Sequence, residues 1–352
     1  MLSERPPIVK PPFQRPTLDA LRATEKNGFS LLSSFSGCGG SCLGFIGAGF
    51  DVRYAIEFVD AAADVYELNT PGVPVDRRDI RDITSDELLQ ALGMRAGELD
   101  VLEGSPPCAA FSTAGTLERN WGVLKTYSDT KQRVDDLFFE FIRLLDGLKP
   151  RMFVAENVAG LVAGVAKGYF IEILEAMRSC GYRVEARRLD AARLGLPQVR
   201  KRIIFIGVRD DLPANPTFPT PLPYGYTIRE VLPHILSLKI GGKPNNWVRS
   251  NRPAGTVVQS GGRTTPTAYF SADWVRVRND DDSVEERKWT IDELKLISGF
   301  PPDFILTGSF EQQWERIGRA VPPPMMQAVA TCVRETLREI ANPPSLPVPV
   351  GY

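Results

Sequence analysis

The chain has 352 residues, 42 Lys and Arg against 43 Asp and Glu, a net charge of -1 and 43% apolar residues, which fits a globular protein with one large domain or a core domain carrying a smaller lobe. No stretch approaches the roughly 20 apolar residues of a membrane span, and Met1 to Pro16 is rich in proline and charge, unlike a signal peptide; a cytoplasmic protein without membrane contact is expected. Five scattered cysteines with no Cys-x-x-Cys pair, and the single histidine His234, argue against zinc and leave carboxylates, thiols, arginine or water for proton transfer, so no metal is expected.

In chain order, residues 1–27 show recurring prolines and no apolar period and read as a loosely held arm. Phe29 to Phe35 predicts a strand, the glycines at 37, 39 and 40 a turn, and Leu43, Phe45 and Ile46 a helix. A second strand, Val52 to Ile56, ends at Glu57 and is followed by a helix through Ala61, Val65 and Leu68. Asp79-Ile80 closes a third unit, and further strands are expected at Asp100 to Leu102, Met152 to Ala155 and Arg202 to Val208. Strands alternating with helices predict a doubly wound, Rossmann-like α/β sheet over 28–210. From 211 to 285, closely spaced prolines and two glycine pairs predict a small irregular lobe with a β-like run at Thr256 to Gln259. Helices return at Thr290 to Ile297, with Thr290 and Glu293 spaced as a capping box, and at Met325 to Ile340; residues 286–340 are expected to rejoin the first domain, with 341–352 a tail.

Charge is segregated along this order. Acids crowd Asp79 to Glu103, while one basic stretch runs from Arg183 to Arg202 and another includes Lys239, Lys243, Arg249, Arg252, Arg263, Arg276 and Arg278. Such separation fits one face for nucleic acid and another for solvent, although either basic stretch alone reads equally as solvated loops.

The turn Phe35-Ser36-Gly37-Cys38-Gly39-Gly40 lacks both the dinucleotide spacing and a phosphate-loop lysine. Joined to Glu57, suited to ribose hydroxyls, and Asp79, suited to an adenine amino group, it describes a nucleoside pocket at strand carboxyl ends; each acid alone reads equally as a surface carboxylate. Gly104-Ser105-Pro106-Pro107-Cys108 then sets a cysteine at a strand mouth, and Glu156-Asn157-Val158 arrives on a neighbouring strand end. By itself Cys108 would read as an inert buried thiol. Beside Glu156 it suits addition of sulfur to C6 of a pyrimidine while an acid stabilises charge at N3.

With Gln198-Val199-Arg200-Lys201-Arg202, Arg252-Pro253 and Gly318-Arg319-Ala320-Val321-Pro322, this ordered set from about Phe29 to Ala330 resembles the DNA cytosine-C5 methyltransferases. The resemblance implies a methyltransferase fold with a target-recognition lobe, S-adenosylmethionine as cofactor, double-stranded DNA as partner and a monomeric enzyme. It makes Cys108 the nucleophile and Glu156 the N3 partner, with Arg200 and Arg202 at the flipped cytosine. Phe35, Gly37, Cys38, Gly40, Glu57, Phe58, Asp79, Ile80, Pro107, Leu137, Arg319 and Ala320 would form the cofactor site; Ser112, Asn157, Val158, Gln198 and Arg252 would contact substrate. An RNA substrate and a non-catalytic DNA-binding protein are the competing readings; the basic lobe and the intact Cys108, Glu156 and arginine pair argue against them.

Two positions depart from the family pattern. Ala109 stands where glutamine is usual, and Arg319 where asparagine is usual, beside the methionine end of the cofactor. A guanidinium about 5 Å from a sulfonium would be repelled by about 3 kcal/mol at an effective dielectric of 20, so an anion must compensate. A DNA phosphate, a protein acid, or a carboxylate on the transferred group, as in carboxy-S-adenosylmethionine, would serve; the last would yield 5-carboxymethylcytosine.

Overall fold

The computed structural model describes residues 9–107, 125–127, 130–132, 137–162, 166–239, 246–259 and 274–342. Cys108, Ala109 and Ser112 lie outside the described residues. Helix α1 (Leu18–Arg22) precedes β1 (Ser30–Ser34), α2 (Gly40–Gly47), β2 (Asp51–Ile56), α3 (Asp60–Asn69), β3 (Val75–Asp76), α4 (Ser85–Leu92) and β4 (Val101–Gly104). A short antiparallel hairpin, β5 (Lys125–Tyr127) and β6 (Thr130–Gln132), leads to α5 (Leu137–Leu148), β7 (Met152–Val158), α6 (Ala166–Ser179), β8 (Tyr182–Asp190) and β9 (Lys201–Arg209). Seven of these strands form one sheet in the order β3-β2-β1-β4-β7-β9-β8, parallel from β3 to β7, with β9 antiparallel to both β7 and β8.

Alternation along the strands divides the core. Leu31, Val101, Met152, Val154, Ile204 and Ile206 face one apolar cluster, shared with α2 and the last helix, α10 (Pro323–Ala341). Their neighbours Leu32, Leu102, Phe153, Ala155, Ile203 and Phe205 face a second cluster with α4, α5 and α6. Both faces are therefore covered, which is why β1, β4, β7 and β9 are buried along most of their length rather than on alternate residues. Close packing brings α10 to the glycine turn: a Cβ at Gly40 would collide with the Val321 carbonyl, and one at Gly44 would come within 2.7 Å of the Gln327 amide nitrogen.

After β9 come α7 (Ile228–Val231), β10 (Ile235–Lys239), β11 (Trp247–Arg249), β12 (Trp274–Arg278) and β13 (Val284–Lys288), then α8 (Ile291–Ile297) and α9 (Phe310–Arg319). The lobe is more regular than its proline and glycine content suggests, because β10 to β13 form a four-stranded antiparallel sheet in the order β11-β10-β12-β13. The β-like run at Thr256 to Gln259 is not one of its strands. Side chains claim that backbone instead: Arg200 donates to the Val257 carbonyl, and the Val257 amide donates to Gln198.

The amino-terminal arm is also held, from Lys10 onward. Arg15 donates to the Phe300 carbonyl at 3.0 Å, the Leu18 amide to Asp303 at 2.9 Å, and Tyr226 to the Pro11 carbonyl at 2.8 Å, while Leu18 and Leu21 are buried. These anchors join residues more than two hundred positions apart, so no local pattern announces them.

Candidate active site

The site gathers at the carboxyl edge of the parallel strands, where open α/β sheets place their ligands. On the cofactor side, β1 runs into a turn with Phe35 at φ 52°, Gly37 at φ 56° and Gly39 at φ 91°. A phenylalanine in this left-handed region is strained, which is typical of loops shaped around a ligand. Glu57, at the end of β2, accepts from the Gly37 amide at 2.7 Å and the Val59 amide at 2.8 Å. Burial raises its carboxyl above the usual range, against the pull of those two amides and of the Arg316 and Arg319 charges. Asp79 caps the turn of 80–82 through the Arg81 amide and pairs with the Arg81 guanidinium at 3.0 Å.

Phe35, Gly37, Phe58 and Pro107 are partly exposed in this region. Cys38 is buried, its sulfur 3.8 Å from the Arg316 carbonyl, and burial pushes its thiol up to about 12, so it stays neutral. Leu137 and Ile80, expected to line the cofactor site, are enclosed in the apolar cluster of α4 to α6. Two residues that sequence reasoning missed sit beneath the turn. Glu103, 1% exposed at the end of β4, accepts from Ser41 at 2.5 Å and Ser33 at 2.7 Å, and burial pushes it up to about 7. Arg316 is buried against the Ala61 carbonyl. An acid inside the apolar run Val101-Leu102-Glu103 was the available signal for the first.

On the catalytic side, Glu156 and Arg202 project from the same sheet face, because Glu156 pairs with Ile204 in the β7–β9 register and Arg202 lies two residues along. Arg202 Nε approaches Glu156 Oε1 at 2.6 Å. Burial raises the Glu156 carboxyl, opposed by the nearby Arg202 and Arg200 charges. Asn157 donates to the Pro106 carbonyl at 3.2 Å and accepts from the Val158 amide, which fixes the segment leading into Cys108.

Two expected substrate contacts have other employment. Arg200 is 1% exposed and donates to the carbonyls of Val257, Gly318 and Ala320 at 2.8 to 2.9 Å. Gln198, wholly buried, donates to the Ile297 carbonyl and Ser298 hydroxyl and accepts from the Val257 amide. A buried guanidinium or amide needs partners, and nearby backbone groups supply most of them, Arg200 Nε alone having none among the described residues; both side chains are thus held by the protein's own backbone. Arg252 is exposed, and its carbonyl accepts from the Ile228 amide. Arg319, solvent-facing at the end of α9, pairs with Glu315 at 2.8 Å, and Arg200 grips the carbonyls on either side of it.

The sequence matches the family described as C-5 cytosine-specific DNA methylase over residues 29–252 and 244–335. The chain belongs to that family. The methylase is 32% identical over 327 residues to the Type II methyltransferase M1.HphI of Haemophilus parahaemolyticus, covering 85% of each chain. It is 28% identical over 351 residues to M.NgoPII of Neisseria gonorrhoeae, covering 89% of this chain and 98% of that one. Among solved structures, a Spodoptera frugiperda DNMT2 variant superposes with a TM-score of 0.63 at 17% identity, covering 87% and 99% of the two chains. Schizosaccharomyces pombe Dnmt2 gives 0.62 at 16% identity, covering 88% and 98%; likeness at this level speaks for the fold.

The S-adenosylmethionine that this family uses fits the residues present. The strained glycine turn and the buried Glu57, held by two amides at the end of the neighbouring strand, form a cradle for a nucleoside. No group of three or more His, Cys, Asp or Glu is placed to hold a metal among the described residues. None of the described helices is long and apolar enough to cross a membrane.

Proposed function

We propose that the methylase modifies C5 of a cytosine flipped out of duplex DNA through a covalent bond between Cys108 and C6, with Glu156 as the acid at N3. The observation that carries this reading is the Glu156–Arg202 pair at 2.6 Å on the sheet edge where Asn157 holds the Pro106 carbonyl, two residues before Cys108. Addition of the thiolate at C6 moves ring electrons toward C5 and N3; a carboxyl at N3 that burial biases toward its protonated form matches that charge. Arg202 orients the carboxyl and opposes the rise that burial causes. Once C5 has taken up the methyl group, loss of its proton and elimination of the Cys108 thiolate restore the aromatic ring. Extruding the base from the stack costs roughly a few kcal/mol.

S-adenosylmethionine supplies the electrophilic methyl group when bound. Glu57, Asp79, Phe58 and the turn at Phe35 to Gly40 would hold it. The Arg319–Glu315 pair provides the protein acid that can offset the arginine charge, which supports ordinary S-adenosylmethionine over a carboxylated donor chosen by Arg319. Relatives named as Type II methyltransferases support a place in restriction and modification, with the enzyme protecting host DNA.

The test is transfer to unmodified duplex DNA of high sequence complexity, with both donors in equal mixture and the nucleosides identified by mass spectrometry. 5-Methylcytosine alone is expected. 5-Carboxymethylcytosine would reverse the donor assignment. Cys108→Ser is expected to abolish transfer while DNA binding persists, and DNA containing 5-fluorocytosine should trap the wild-type enzyme covalently. Serine-variant turnover near the wild-type rate would end the covalent mechanism.

A further inference from the structure

Helix α9 is clamped along one side. Trp314 Nε1 donates to the Val258 carbonyl at 2.9 Å, a Cβ at Gly318 would come within 2.6 Å of the Val258 carbonyl carbon, and Arg200 grips the Gly318 carbonyl at 2.9 Å. Residues 314 and 318 lie four positions apart on one helix face, so Arg316, two positions from each, projects from the opposite face. There it meets the glycine turn and the start of α3. Its backbone carbonyl accepts from Cys38 Sγ at 3.8 Å, its Nε donates to the Ala61 carbonyl at 3.3 Å, and the residue is 5% exposed.

Glu57 joins the same two segments one step away. Its carboxylate accepts from the Gly37 and Val59 amides, while Arg316 reaches Cys38 and Ala61. A buried acid and a buried guanidinium are thus stitched side by side between the turn and the first residues of α3. Each is costly to bury alone, and each lowers that cost for the other. We propose that Arg316 is a positioning residue of the cofactor site that acts through Glu57, supplying the counter-charge with which this carboxylate accepts the ribose hydroxyls of the cofactor. The proposal rests on the reading of Glu57 as a cofactor-holding acid and adds the residue on which that acid depends.

The surrounding charges leave this task to Arg316. Burial lifts the Glu57 carboxyl above its ordinary range, the Val59 and Gly37 amides oppose the rise, and of the two cations that also oppose it Arg316 counts for more than Arg319. The Arg319 side chain is 32% exposed and shares its charge with Glu315, so water and that acid screen it. From the turn, the buried Cys38 thiol faces Glu57 in its neutral form. On α3, Asp60 is exposed and paired with Arg77 at 3.2 Å; on β3, whose Asp76 carbonyl accepts from the Glu57 amide, the Asp76 carboxylate is held by Arg78 at 2.8 Å. A charged carboxylate accepts hydroxyls more strongly than its protonated form, so loss of the Arg316 charge should weaken cofactor binding where Glu57 titrates.

The test measures S-adenosylmethionine affinity by calorimetry on the full-length enzyme, without DNA, from about pH 5 to about pH 8.5. In Arg316→Gln the loss of affinity on the acid side should begin about one pH unit higher than in wild type, with affinity weaker by up to about tenfold inside that window and converging outside it. The ligand's own titration is common to both proteins and cancels in the ratio. Arg316→Lys keeps the charge and should restore the wild-type midpoint, and in a Glu57→Gln background Arg316→Gln should have no pH-dependent effect. A constant ratio at every pH in the folded Arg316→Gln variant would assign Arg316 a purely structural role and overturn the proposal. If that variant does not fold, the lysine variant decides: a midpoint that moves upward although the charge is retained overturns it equally. Failure of the underlying reading looks different, because Glu57→Ala, with Arg316 intact, would then bind the cofactor as tightly as wild type, and the proposal would fall with it.

Discussion

Glu156 and Arg202 form a buried ion pair of 2.6 Å across the β7–β9 ladder, at the edge where Pro106 and Pro107 follow β4. Neither charge can hydrate freely, so each depends on the other, and removing one partner of such a pair costs about 3 to 5 kcal/mol. The pair is therefore expected to report on catalysis and folding together.

Glu156→Gln should separate the two. It is close to isosteric and can still accept from Arg202, yet it cannot share a proton with N3, so kcat is expected to fall about 10² to 10³-fold with S-adenosylmethionine affinity nearly unchanged. Glu57→Ala should do the reverse, because that carboxylate is committed through Gly37 and Val59 to the turn proposed to hold the cofactor. Single-turnover rates and cofactor titrations on both variants make the check; the same pattern in both would show that the two acids do not divide the work.

Asn157→Ala should slow the chemical step with little effect on the cofactor. Its amide holds the Pro106 carbonyl, and a buried acceptor left unpaired costs about 1 to 3 kcal/mol while allowing the nucleophile's segment to shift. A fall in kcat of about tenfold or more is expected, since small misplacements of a reacting group are expensive. Normal trapping by 5-fluorocytosine DNA in the alanine variant would argue against a positioning role.

The sheet is legible in sequence because its strands are short apolar runs ending at informative residues: the turn after Phe35, Glu57 after β2, and Glu156 inside β7. The lobe is less so. Trp274-Val275-Arg276-Val277-Arg278 alternates cleanly, but prolines and glycine pairs around it hide the period, and the run at Thr256 reads as a strand although Arg200 and Gln198 bind its backbone. The roles of Arg200 and Gln198 cannot be read locally, since their partners lie about 57 to 120 residues away. Motif identity points both side chains toward substrate; burial turns them toward carbonyls.

Glu293 should make the junction between lobe and catalytic domain sensitive to acid. It accepts from Arg287 at 2.7 and 2.8 Å, lies 2.8 Å from His234 Nε2, and closes the Thr290 capping box. Burial alone would raise this carboxyl, but hydrogen bonds from Arg287, His234 and the Thr290 amide outweigh it and hold the group at about 2. A depressed value means stability present above the unfolded carboxyl range near 4.5 and lost as pH falls through about 2. Thermal melts should show Glu293→Gln destabilised at pH 7 and nearly level with wild type at the acid end. An equal difference at both pH values would rule out this linkage.

Glu103 should give the opposite sign. Its carboxylate is enclosed between Ser33 and Ser41 below the glycine turn, with Ser36 donating to Ser33 at 2.9 Å, so the group ties β4 to the loop proposed to cradle the cofactor. Desolvation raises it from 4.5 to about 7, with the two hydroxyl donors opposing and the Glu156 charge adding to the rise. The folded chain then retains a proton that the unfolded chain releases. Stability from this group is complete below about 4.5 and drains away as pH climbs to about 7, a difference on the order of 3 kcal/mol for a shift of this size. Glutamine mimics the protonated form without titrating. Glu103→Gln should therefore match wild type near pH 5 and gain on it near pH 8, both in thermal stability and in S-adenosylmethionine affinity, because the turn rests on the same hydroxyls. Parallel pH profiles for the two proteins would show that Glu103 does not change its charge between those limits.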